Sequence, residues 1–99
     1  MNEILIKANG APTSNFMEVA KQAYQWTSGK KILTCPISVT IELYFDKPRI
    51  ANIVGIESSV LVNLRGVVFA KETQIHRIDV VRYVSDKPCT VVTIRKVDE

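Results

Sequence analysis

Polar and apolar positions alternate most cleanly between Ile37 and Phe45. Ile37, Val39, Ile41, Leu43 and Phe45 point one way, and Ser38, Thr40, Glu42 and Tyr44 the other. A period of two over this length predicts a half-buried β-strand, ended by Pro48. Glu3 to Ala8 predicts a shorter strand, with Ile4 and Ile6 on one face and Leu5 on the other. Asn9, Gly10 and Pro12 break it. Thr13, Ser14 and Asn15 offer capping oxygens for a helix over Phe16 to Thr27. Its apolar stripe is Phe16, Val19, Ala20 and Ala23, with Tyr24 or Trp26 at the margin, and Gly29 is the expected stop.

A second helix is predicted from Ile50 to Leu64. Ile50, Ile53, Val54, Val60, Leu61 and Leu64 form its inward stripe, and Ile56 and Val62 fall outside it. Arg65 and Gly66 close this helix, and Val67 to Phe69 is a short extended piece. Two more strands follow, Gln74 to Val84 and Thr90 to Val97. The turn-forming Ser85-Asp86-Lys87-Pro88 between them predicts a hairpin. The order is β-α-β-α-β-β. An α+β fold is expected, with two layers and the helices packed on one mixed sheet.

At 99 residues the chain suits one domain with a modest core. Apolar residues are 46% and charged residues 23%, a globular balance that argues against disorder. No apolar run approaches the ~18 residues of a membrane span, and no signal peptide is indicated. The expectation is a cytosolic protein of a bacterium, a phage or another cell. The net charge of +3 is spread along the chain, with Lys30-Lys31 the one adjacent cationic pair. That is a weak pointer to nucleic acid. Cys35 and Cys89 have no metal-binding spacing and are expected as separate free thiols.

The stretch Lys47-Pro48-Arg49-Ile50-Ala51-Asn52 closes the long strand, and Gly66-Val67-Val68-Phe69 followed by Gln74-Ile75 opens the next. With this element order, the two motifs resemble the RusA family, small dimeric endonucleases that resolve Holliday junctions and are common in phages and prophages. The resemblance runs from about Pro36 to Ile94. The family pattern is a strand, K-P-D-[LI]-D-N, a helix, then G-[IV]-x-[YFW]-x-D-D-x-Q-[IV]. Lys47, Pro48, Ile50, Asn52 and Ile53 keep the first part; Gly66, Val67, Phe69, Gln74 and Ile75 keep the second. Arg49 and Ala51 stand where the resemblance implies metal-binding aspartates, and Lys71 and Glu72 where it implies an aspartate pair. Gly55 takes the place of a lysine implied in catalysis or DNA contact.

Metal-dependent phosphodiester hydrolysis needs hard oxygen ligands for the ion. Arg49 supplies five donors and no acceptor, and Ala51 supplies nothing. Glu72 alone keeps a carboxylate, beside Lys71. The expectation is a degenerate former active site at Arg49, Ala51, Asn52, Gly55, Lys71 and Glu72, without metal, cofactor or cleavage. Glu42, Asp46 and Glu57 are the acids from which a site would have to be rebuilt. His76 is lone, and Ser58 and Ser59 lack a base.

Two binding roles remain open. In one, Arg49 and Lys71 hold a phosphate directly, and a dimer grips branched DNA. In the other, which is favoured, the partner is a protein. The chain then blocks a host nucleic-acid-cutting defence, as anti-CRISPR proteins do, through surplus apolar residues such as Ile56 and Val62 or through Tyr44 and Trp26. Arg49 paired with Glu72 across a vacated pocket is a third possibility for that arginine. The resemblance implies a homodimer. No small-molecule substrate is expected.

Overall fold

A computed structural model describes residues 3–27, 32–48 and 53–97. The elements are β1 (Glu3–Asn9), α1 (Phe16–Thr27), β2 (Ile37–Phe45), α2 (Ile53–Leu64), a single 3-10 turn (Glu72–Gln74), β3 (Ile75–Val84) and β4 (Cys89–Lys96). Both helices lie on one face of a single mixed sheet, the expected two-layer α+β arrangement.

The strands lie in the order β1-β4-β2-β3. Strand β2 runs parallel to β3 and antiparallel to β4, and β4 runs antiparallel to β1. The predicted hairpin is therefore absent: β3 and β4 are not neighbours. Strand β4 slots between β1 and β2, and Ser85 to Pro88 cross the end of β2 instead of closing a turn. The Ser85 amide donates to the Phe45 carbonyl at 2.7 Å, and the Gly10 amide to the Pro88 carbonyl at 3.0 Å.

Composition accounts for this order. Strand β4 buries Thr90, Val92, Thr93 and Ile94 and takes an interior position. Strand β3 carries His76, Arg77, Asp79 and Arg82, fully buries no residue, and lies at the edge. Strand β2, with five inward residues buried, has a neighbour on each side.

The core gathers Ile6 and Ala8 from β1, the inward side of β2, and Val92 and Ile94 from β4. Against these pack Val19 and Ala23 of α1 and Ile56, Val60 and Leu64 of α2. Helix α2 is rotated from the expected stripe. Ile53, Ile56, Val60 and Leu64 follow 3-4-4 spacing and turn inward, while Val54 turns outward beside Val62.

Gly66 ends α2 at φ +83°, left-handed backbone that suits glycine. The following residues do not form the expected extended piece. They turn back, with the Val67 and Val68 amides on the Leu64 carbonyl, and bury Val68 and Phe69 over the end of the core.

Candidate functional site

The described residues of the two motifs sit at opposite ends of the sheet. Ile75, at the start of β3, pairs with Ile37 at the start of β2, and Val84 pairs with Phe45 at its end. Lys71 and Glu72 precede Ile75 and are exposed beside the start of β2. Lys47 and Pro48 follow Phe45 and are exposed past its other end. Nine residues of strand separate the two ends, about 26 Å at ~3.3 Å per residue. Gly55 lies in the first turn of α2. Arg49, Ile50, Ala51 and Asn52 lie outside the described residues, so the phosphate grip and the Arg49–Glu72 pair both rest on a position outside them. Among the described residues of one chain, Lys47 and Pro48 do not share a pocket with Lys71 and Glu72.

Gln74 has a different task. Its side-chain nitrogen, Nε2, donates to the carbonyls of Leu33 and Cys35, each at 2.9 Å. Its Oε1 accepts from the amides of Ala70 at 2.9 Å and Lys71 at 2.7 Å. The side chain thus stitches the segment before β2 to the segment before β3. Leu33 and Phe69 add a parallel bridge to the same seam. A half-buried glutamine that satisfies four backbone groups is a structural clasp.

The remaining candidate acids are dispersed. Glu42 is on the sheet face away from the helices, where it accepts a hydrogen bond from the Tyr44 hydroxyl at 3.1 Å. Glu57 is on α2, across the sheet, and Asp46 is exposed beyond the end of β2. No group of three or more His, Cys, Asp or Glu residues is placed to hold a metal ion among the described residues. His76 is exposed at the irregularity where the β2–β3 register shifts. Ser58 is exposed, and the Ser59 carbonyl accepts from Asn63 Nδ2 at 2.7 Å. Cys35 and Cys89 are both free, one before the start of β2 and one paired with Tyr44 near its end.

The helix-free face of the sheet is balanced in charge. Arg95 pairs with Glu3 at 2.8 Å, and Arg77 with Asp79 at 2.9 Å. Lys7 and Glu42 complete the set, three cations against three anions. Tyr44 stacks on Tyr83 with ring centroids 5.0 Å apart. Desolvation of the Tyr44 phenol, then its hydrogen bond to Glu42 and the negative charge of that carboxylate, push its pKa above the ordinary value. Cations without an ion pair among the described residues include Arg65, Lys71 and Lys96, all near the end of the sheet where β2 begins.

Exposed apolar side chains concentrate on the outside of the helix layer. Met17 is 87% and Tyr24 68% exposed on α1; Val54 is 71% and Val62 61% exposed on α2. The two helices pack side by side. Ile56, expected as a contact residue, is only 6% exposed and belongs to the core, because its position on the 3-4-4 stripe turns it inward. Val62 is free to meet a partner. Tyr44 is half-buried under Tyr83 and offers little of its ring. The Trp26 indole N–H donates to the Leu5 carbonyl, laying the ring against edge strand β1.

No protein-family model matches the chain, and no curated protein matches it. No helix among the described residues is long and apolar enough to cross a membrane.

Proposed function

We propose that this chain is a catalytically inactive, RusA-like protein of phage or mobile-element origin that acts in the cytosol by binding. Its target is a protein of a host nucleic-acid-cutting defence, which it inhibits in the manner of an anti-CRISPR. The observation that carries the protein-partner reading is the helix layer. Met17, Tyr24, Val54 and Val62 present apolar surface that the core does not use. The inactive reading rests on chemistry: Arg49 and Ala51 cannot ligate a hard cation, and Glu72 is a single carboxylate next to Lys71. The test is plaque formation by a phage on a host carrying the defence system. Expression of the chain restores plaques, and expression of a Met17→Glu, Val62→Glu variant does not. Failure of the wild-type chain to protect phage against any nuclease-based defence of its host overturns the reading.

A second reading keeps nucleic acid. It is favoured by Arg65, Lys71 and Lys96 near one end of the sheet; Lys30 and Lys31 lie outside the described residues. Here a dimer holds branched DNA without metal, and Arg49 and Lys71 contact phosphates. Binding of a four-way junction at low salt, steeply weakened by added salt and by Arg49→Glu, separates it from the first reading. Cleavage of that junction with Mg²⁺ or Mn²⁺, lost in Glu72→Ala, overturns both.

A further inference from the structure

We propose that two copies of this chain pair along their β3 edges, antiparallel and centred on Val81, to form one continuous eight-stranded sheet. A two-copy state is what the family resemblance implies. The edge and the register are the new step, and they rest on the strand alone and not on the proposed function.

The sheet has two edges, and they are treated differently. On β1 the Trp26 indole N–H occupies the Leu5 carbonyl. Strand β3 is ten residues long, pairs among the described residues with β2 alone, and has no proline; its charges, Arg77, Asp79 and Arg82, leave the edge open only in particular registers. Three of its large side chains stay partly exposed in their own chain: Val81 at 39%, Tyr83, stacked on Tyr44, at 42%, and Val84 at 57%. All three lie in its second half.

A two-fold antiparallel pairing must keep like faces together, so it is centred on a residue. The candidate centres differ sharply. Centring on Asp79 sets two carboxylates against each other, and centring on Arg82 does the same with two guanidinium groups. Centring on Ile78 or Val80 runs the ladder into His76, where the backbone is irregular. Centring on Val81 avoids all of these. Val81 then meets its own copy, Ile78 meets Val84, Val80 lies along the stem of Arg82, and Asp79 faces the Tyr83 hydroxyl. Seven residues pair, the ladder stops short of the irregularity, and the three exposed apolar side chains are covered. This self-complementarity is why the occupant is a second copy and not a foreign segment.

The experiment combines sedimentation with directed cross-linking. Wild-type protein at about 100 µM is expected at twice the monomer mass of 11.1 kDa. A Val81→Lys, Val84→Lys variant, altered only at exposed positions, is expected at the monomer mass with an unchanged circular dichroism spectrum. Under mild oxidation Val81→Cys is expected to give a disulfide-linked dimer in high yield. Asp79→Cys, on the same face two residues away, is expected to give little more than the wild-type background from Cys35 and Cys89. A monomeric wild type overturns the proposal. So does a dimer that survives the double lysine substitution, or one that cross-links through position 79 as readily as through position 81.

Discussion

The Asn15 side chain donates from Nδ2 to the Thr90 hydroxyl at 3.1 Å, joining residues 75 positions apart in sequence. The same nitrogen reaches the Ala8 carbonyl at 3.0 Å and the Gly10 carbonyl at 3.3 Å, and the Thr90 hydroxyl returns a bond to Asn15 Oδ1 at 3.3 Å. Asn15 is buried, as is Thr90. One amide therefore ties the end of β1, the start of α1 and the start of β4. Its side chain turns into this knot instead of serving as the expected helix cap. Asn15→Ala removes the donor from a buried carbonyl and strands the hydroxyl, a loss of about 1–3 kcal/mol. Thr90→Val in the same background adds less than it does alone, because the hydroxyl is already orphaned. Urea unfolding of the two single variants and the double variant measures this.

Gln74 holds the opposite end of the sheet. Gln74→Leu leaves the Leu33 and Cys35 carbonyls and the Ala70 and Lys71 amides to find water or go unpaired. The expected destabilisation is about 2–4 kcal/mol. Local opening is also expected, with faster amide hydrogen exchange confined to residues 33–35 and 68–71. A variant that unfolds with wild-type midpoint and exchange would show that the clasp is idle.

Ile56 and Val62 are six residues apart on α2 and have opposite fates. Ile56→Ala opens a cavity between α2 and the sheet and is expected to cost about 2–5 kcal/mol. Val62→Thr alters an exposed position and is expected within about 0.5 kcal/mol of wild type. Thermal unfolding of the two variants distinguishes core from surface. Only the second is usable for testing partner binding.

Much of the architecture was legible because local pattern and burial agree. Strand β2 alternates in sequence as it does in the fold, and α1 covers Phe16 to Thr27 as its stripe predicts, while the expected stop at Gly29 lies outside the described residues. The misread pairing of β3 and β4 has a physical cause. A four-residue link with proline reads as local, yet which strand enters the sheet interior is decided by apolar content. Thr90-Val91-Val92-Thr93-Ile94 against His76-Arg77-Ile78-Asp79 carried that signal in plain view. On α2, Val54 and Ile56 exchanged places because an apolar helix offers several stripes, and only the sheet selects one. The candidate site was less legible. Its two motifs are neighbours in a linear pattern, but a parallel β2-α2-β3 crossover carries them to opposite ends. Gln74 read as part of a catalytic motif, and its four backbone contacts became visible only with the seam in place.

Tyr44 gives the fold a dependence on alkaline pH. Its pKa is raised by desolvation, by the hydrogen bond to Glu42 and by that carboxylate's charge, with smaller contributions from Tyr83 and Cys89. A raised pKa in the folded state means that the neutral phenol is the form the fold favours. The associated stability is fully present below the unfolded value, about 10, and is lost as pH rises through the folded one. Wild-type stability should therefore fall above pH ~10 more steeply than that of Tyr44→Phe, which has no proton to lose there. Glu42→Gln removes both the acceptor charge and the repulsion of the phenolate, so it should bring the Tyr44 titration down toward the ordinary value. Absorbance at the phenolate band, taken as the difference between wild type and Tyr44→Phe, follows that one group. A Tyr44 that ionises at the same pH with and without Glu42 would remove the carboxylate as a cause of the shift.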